Sequence, residues 1–310
     1  MTAQTAAQQI ETRTRIATRA RPRRKLSLRR QILLQLICLG IGITVLFPIV
    51  WIVGMSLDPR NLARPDSLIP PGASLDAYAA VIARPTQNPV AFWQLALNSL
   101  TVAIVIAGLS VGLGVLSAYA FSRLKFAGRE IWMLVVLAIL MLPAVATIGP
   151  LFVSMNQVRV GGFNLGTSLL GVALAVTATQ LPFAIWNMKG YLDTIPRELE
   201  EAATVDGAGK FGIFRHVILP LSTPVIAVTA FFGFVAGWTE FLMASLFVVG
   251  DPKQWTLAIA LNALVGQYAG STPWSQFAAF SVLFALPVMV VYLFLQRYIV
   301  SGLTIGGVKG

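Results

Sequence analysis

Long apolar runs alternate with shorter polar segments along the whole chain. Six runs are long enough to cross a bilayer as helices, at roughly 32–55, 98–121, 131–153, 166–188, 224–249 and 277–299. A span needs about 20 mostly apolar residues. Backbone groups facing lipid must be satisfied within the segment, which selects helices for such runs. The pattern therefore predicts an all-α, polytopic membrane protein of six transmembrane helices. Residues 1–30 are polar and basic without apolar periodicity and read as a disordered tail. The membrane-embedded region covers 31–300, with a polar loop at 189–223, another at 250–276, and a short tail at 301–310. The first run is too long for a signal-peptide core and lacks a small-residue cleavage pattern, so it is expected to remain as a span.

Composition agrees with this pattern. The chain has 310 residues, 56% hydrophobic and 11% charged, and its mean hydropathy is +0.77. The net charge of +11 could point to nucleic acid, but nine of the 23 Lys and Arg residues lie between Arg13 and Arg30, directly before the first run. That placement is a topology signal, with added attraction to anionic lipid. With the N-terminus inside, the inner segments carry 18 basic residues and the outer loops five. Both termini are therefore expected in the cytoplasm, with 189–223 inside and 250–276 outside.

Proline and glycine mark positions inside the runs. Pro143, Pro150 and Pro182 are expected to kink or open their helices. Gly108 and Gly112 form a small-xxx-small face suited to close packing in lipid. Glu240, in GWTEFLMAS, is a carboxylate deep in an apolar run. Such a group faces a cavity or a partner, so it reads either as a pathway or gate residue or as a structural hydrogen bond. Trp238 and Phe241 beside it could stack on a sugar ring or simply pack. The only cysteine, Cys38, lies in an apolar run, and the only histidine is His216, so neither a disulfide nor a His-cluster metal site is expected. No catalytic cluster is evident. Gly209-Lys210 does not open a phosphate-cradling loop, because Thr204 and Phe211 stand where glycine and Ser or Thr are required.

The most polar stretch between two runs is LEEAATVDGAGKFGIFRHVILPLSTP, Leu199 to Pro224. Pro196 suits the first turn of a helix, and Glu198, Glu200 and Glu201 lie near its positive end. Gly207 and Gly209 end it, as glycine accepts the positive φ of helix termini. Phe211, Phe214 and Ile218 then follow at helical spacing, before Pro220 and Pro224 break the chain. A polar helix–turn–helix results.

Glu201-Ala202-Ala203, three residues, Gly207, nine residues, Val217, one residue, then Leu219-Pro220 resemble the EAA motif of ABC importer permeases, which usually has Ile where Val217 stands. The resemblance implies the type I permease fold of that family and a coupling helix that docks on a separate ATP-hydrolysing subunit. The chain itself would be non-catalytic, without a cofactor of its own, with ATP and Mg held by that partner. The segment Gly266, Gln267, Tyr268, Ala269, Gly270 to Pro273, after a helical Thr256–Val265, resembles the outer loop by which MalG-type maltose permeases reach the binding protein. A surface-lying helix with a turn is the plain alternative. The tail Thr304, Gly306, Gly307, Val308, Lys309, Gly310 resembles the carboxyl end of carbohydrate permeases and would lie against the ATPase. The implied partners are a MalF-like permease, an ATPase dimer, an extracytoplasmic sugar-binding protein and membrane lipid, in a bacterial or archaeal cytoplasmic membrane. The implied cargo is maltose or a related oligosaccharide. A permease for trehalose or glycerol phosphate, or an ion-driven secondary transporter, remains the alternative.

Overall fold

The computed structural model describes residues 27–265 and 272–306. The chain divides into two compact units, residues 1–50 and 51–310. Helix α1 (Leu28–Ser56) supplies the described part of the first unit and runs on into the second. Its Leu, Ile and Val side chains are exposed along most of its length, as suits a helix whose solvent is lipid. Pro48 lies inside α1 without interrupting it.

In the second unit the helices are α2 (Asp76–Ala83), α3 (Phe92–Arg123), α4 (Arg129–Leu140), α5 (Ala144–Gln157), α6 (Leu169–Leu192), α7 (Glu198–Val205), α8 (Lys210–Leu221), α9 (Thr223–Trp238), α10 (Leu242–Val248), α11 (Leu257–Ala263) and α12 (Trp274–Gly306). Among the described residues the extended structure is one two-residue antiparallel pairing, Arg159–Val160 with Phe163–Asn164. Gly161 and Gly162 turn between them, both at positive φ. Four helices (α1, α3, α6 and α12) are long and apolar enough to cross a membrane. Two bent pairs, α4 with α5 and α8 with α9, bring the total to six if each counts as one span.

Helix α3 packs along both α6 and α9. Its contact with α9 is backbone-close, because Gly233 and Gly237 face Ala107 and Ala103. Four small residues at four-residue spacing let the two helices approach where no apolar driving force exists in lipid. The stripe at Gly108 and Gly112 behaves differently: a β-carbon there would meet nothing within 4 Å. Gly114, farther along α3, does approach α6, at Ala184 and Met188.

The prolines divide. Between α4 and α5 the chain bends by 104° at Met141–Pro143, so the apolar run 131–153 is not one straight helix. Pro143 is the N-cap of α5, where its fixed φ is tolerated. Pro150 and Pro182, by contrast, lie inside uninterrupted α5 and α6. The helices are not interrupted at those two positions. The run 224–249 is also divided: α9 ends at Trp238, and α10 starts at Leu242. Helix α12 continues to Gly306, past the expected boundary at 300.

The loop between α9 and α12 is held to α3. Asn98 donates through Nδ2 to the carbonyls of Lys253 (2.8 Å) and Trp255 (2.9 Å). Ser99 Oγ accepts from the Leu257 N–H at 2.8 Å. Thr256 caps α11 by accepting from the Ile259 N–H. Leu257, Ala258, Ile259 and Ala260 are buried, whereas Asn262 and Ala263 farther along α11 are exposed. Helix α2 starts at Asp76 and packs on α12 with Val81 buried.

A second clamp lies at the start of α12. Ser275 donates through Oγ to the Asp58 carbonyl (2.5 Å) and through its N–H to Asn61 Oδ1 (3.0 Å). Arg60 pairs with both Asp58 (2.9 Å) and Asp66 (2.8 Å). Its guanidinium holds both carboxyls below the usual carboxylate range, even though burial alone would raise them.

Candidate functional site

The polar stretch after α6 folds as two short helices joined by a tight turn. Arg197 is the N-cap of α7, which places Pro196 one residue ahead of the cap rather than in the first turn. Glu198, Glu200 and Glu201 occupy that first turn, where carboxylates complement the exposed N–H groups. At the other end Gly207 takes φ +87°. The Gly207 N–H bonds to the Thr204 carbonyl (3.0 Å) and the Ala208 N–H to the Ala203 carbonyl (2.9 Å). This is the paired closure in which glycine at positive φ terminates a helix. Gly209, with φ −71° and ψ 165°, is extended and serves as the N-cap of α8 instead.

Helix α8 contains one wide turn, Phe214–Ile218, with π-type hydrogen bonding. The Phe214 ring meets Tyr119 of α3 edge-on at 5.0 Å. His216, in the same turn, lies exposed with Nδ1 3.1 Å from the Gly212 carbonyl. Between α8 and α9 the chain bends by 73°. Ser222 sits at the bend, buried, and donates to the Ile218 carbonyl at 2.7 Å. Pro220 lies in the last turn of α8 and Pro224 in the first of α9.

The seven motif residues separate by direction. Ala203 packs with Ala208, Val217 and Leu219 against a core of Val115, Met188, Leu192, Ile213, Ile218 and Val225. Glu201, Ala202, Gly207 and Pro220 face outward and are exposed. With them stand two apolar side chains that none of the described residues covers, Val205 at 89% exposure and Phe211 at 73%. The outer face of α7 is therefore acidic at its start and apolar at its end. A side chain one position before the motif turns the other way: Glu200 forms an ion pair with Arg123, the last residue of α3, at 2.5 Å.

The membrane-embedded candidates fall elsewhere. Trp238 is 2% exposed, stacks on Phe234, and donates through Nε1 to the Phe284 carbonyl at 2.9 Å. Its ring is core, which corrects the reading of a ring open to a sugar. Phe241 is half-buried and packs with the cluster around Val172, Val176 and Met243. Glu240 lies in the gap between α9 and α10 and accepts from the Met243 N–H at 2.8 Å. It acts as a cap for α10 rather than as a charge midway along a helix. Gly266, Gln267, Tyr268, Ala269 and Gly270 lie outside the described residues, as do Gly307, Val308, Lys309 and Gly310; Thr304 and Gly306 belong to the last turn of α12. Among the described residues no three His, Cys, Asp or Glu side chains gather closely enough to hold a metal ion.

The helix–turn–helix between α6 and α9 thus presents an exposed face that is acidic at one end and apolar at the other. Residues 110–305, which include it, match the model of the family described as binding-protein-dependent transport system inner membrane component. The chain belongs to that family. It is 33% identical over 91% of its length to a trehalose/maltose transport system permease protein MalG of Thermococcus litoralis, covering 98% of that protein. It is 34% identical over 87% of its length to a galactooligosaccharides transport system permease protein GanQ of Bacillus subtilis, covering 92% of it. The fold is that of a chain in a crystal structure of a bacterial ABC transporter that imports the acidic polysaccharide alginate. The TM-score is 0.68 over 88% of this chain and 98% of that one, at 22% identity. The permease is thus an inner-membrane, multi-pass protein of the type I permease fold.

The helix–turn–helix at 199–224 is legible in the sequence through its glycines and its EAA pattern, but the Arg123–Glu200 pair and the Gly233/Gly237 contact are not. GFVAG, with glycines four apart inside an apolar run, was the available signal for the contact.

Proposed function

We propose that this permease is the MalG-type membrane subunit of an ATP-driven importer of maltose or a related oligosaccharide. The carrying observation is the outward face of α7, where Glu201, Ala202 and Val205 stand exposed beside Phe211. An uncovered apolar face rimmed by charge marks a protein contact. In this reading the face docks on an ATPase subunit in the cytoplasm, with both termini on that side, as the excess of inner positive charge supports. ATP and Mg belong to that partner. Closure of the ATPase dimer draws α7 and α8 along, and the 73° bend at Ser222 passes the movement to α9. A MalF-like permease completes the pathway, a sugar-binding protein meets the opposite side at 266–273, and the carboxyl tail lies against the ATPase. Glu240, at the break between α9 and α10, and Phe241 remain the pathway candidates of this chain.

The names of the relatives support a neutral oligosaccharide as cargo. Trehalose and maltose appear in one and galactooligosaccharides in another, so an α- or β-linked galactose-containing sugar is the second reading. The test is reconstitution of the purified complex in proteoliposomes with labelled maltose, trehalose and a galactooligosaccharide outside. ATP-dependent uptake of maltose is the expected outcome. Uptake that persists without the ATPase subunit and follows an ion gradient would replace the reading with a secondary transporter.

A further inference from the structure

Helix α7 leans mainly on α8, and Ala203 packs against the cluster that holds Val115 of α3 and Met188 of α6. The ion pair of Glu200 with Arg123 adds a polar tie between α7 and a membrane helix. Arg123 is the C-terminal residue of α3. Its side chain is 6% exposed and that of Glu200 17%. Nε and Oε1 are 2.5 Å apart, an ion-pair contact. The guanidinium is fixed from two further sides. Nη2 donates to the Ile195 carbonyl at 2.8 Å and Nη1 to Ser122 Oγ at 3.2 Å. Ser122 in turn donates to Asp193 Oδ1 at 2.5 Å, and Asp193 pairs with Lys189 of α6 at 2.6 Å. One arginine thus joins the inner ends of α3 and α6 to the docking helix.

We propose that Arg123 is a positioning residue that fastens α7 to α3, so that displacement of the docking helix moves that span. The inference rests on the ATPase-docking reading and adds a route to it. Three features carry it. The pair is largely withdrawn from water, where an ionic contact is little screened. Arginine offers donors in a rigid fork, which allows it to hold Glu200, Ile195 and Ser122 together in a way a lysine could not. And Glu200 adjoins Glu201 in sequence while facing the other way, so one turn of helix has an outward carboxylate for the partner and an inward one for the span. On the other sides of the guanidinium stand Asp193 and Lys189, already paired with each other.

The test uses the complete reconstituted complex with cysteine-free partner subunits. In a Cys38→Ser background, Arg123→Cys and Glu200→Cys are combined and bridged by a reducible bifunctional thiol reagent. With the bridge in place, stimulation of ATP hydrolysis by sugar-loaded binding protein should equal that of the wild type. After reduction of the same sample it should fall at least about fivefold, the lower end of an ordinary coupling free energy, while the ATPase stays bound. Arg123→Gln alone should show the same loss, and Glu130→Gln, an exposed carboxylate on α4, should show none. Full stimulation after reduction, no recovery on bridging, or an Arg123→Gln complex within about twofold of wild type would each overturn the proposal. Failure of the docking reading looks different: the wild-type permease itself would neither retain the ATPase nor support stimulated hydrolysis.

Discussion

Gly237 of α9 lies so close to Ala103 of α3 that a β-carbon on it would stand 2.7 Å from the Ala103 Cα. Ile106 Cδ1, at 2.9 Å, can swing aside, but the Ala103 backbone cannot. Gly237→Ala is expected to force the helices apart at a cost of about 1–3 kcal/mol, and Gly237→Leu to prevent a monodisperse permease altogether. Thermal midpoints and size-exclusion profiles in detergent measure both. Gly108→Ala, on the open side of α3, should leave both unchanged; a loss there equal to that at Gly237 would contradict the packing described.

The turn at Gly207 is governed by backbone rather than by space, since a β-carbon there would meet nothing within 4 Å. Gly207→Ala should cost about 1–2 kcal/mol through the positive φ. Gly207→Val should cost more, since a β-branched residue tolerates positive φ least. Gly207→Asn should be the mildest, because asparagine visits this region most readily. Sugar uptake by proteoliposomes should decline in that same order. A ranking set by side-chain size alone would show that the partner's socket, not the turn, is what matters.

Val205 and Phe211 contribute nothing to the fold of this chain that their exposure reveals. Phe211→Ser and Val205→Ser should therefore leave the thermal midpoint of the isolated permease unchanged. Each should weaken ATPase retention by about tenfold, as loss of an interface anchor does. Glu201→Ala should act likewise, with membrane insertion intact. Affinity co-purification with tagged ATPase reads all three, and unchanged retention in the Phe211 variant would argue against a docked α7.

Acid should loosen the clamp on α12. Asp58 has its carboxyl held below the ordinary range by Arg60, whereas in the unfolded chain it titrates near 3.9. Its contribution is then complete at neutral pH and is lost as pH falls through the lower, folded value. Asp58→Asn should accordingly lower the thermal midpoint at pH 7, and the gap to wild type should close below about pH 4. A gap that stayed constant from pH 7 to pH 3 would mean that the carboxylate charge plays no part.

The spans and the docking stretch were legible because both are local. Apolar length gave α1, α3, α6 and α12, and the helix ends around α7 are written in Glu198 and Gly207. What was not legible depends on helix phase and on partners far apart in sequence. Gly108 and Gly112 look as ready for packing as Gly233 and Gly237, and only the facing Ala103 and Ala107 distinguish them. Pro143 and Pro182 are alike in sequence. Yet α6 passes through Pro182 while packed against α3 and α9, and α4 stops ahead of Pro143. Glu240 left two readings open in the sequence, and the hydrogen bond from the Met243 N–H depends on the gap between α9 and α10, which no local pattern showed. Arg123 and Glu200 are 77 positions apart, so no local pattern could pair them.

Helix α3 has 32 residues and no proline, so at 1.5 Å per residue it is a shaft about 48 Å long. Asn98 and Ser99 near its first end hold the loop around α11, and Arg123 at its last end holds α7. With the tie proposed at Arg123, a shaft gripped at both tips would tilt as one piece, so that displacement of α7 at one tip would be felt by the loop around α11 at the other.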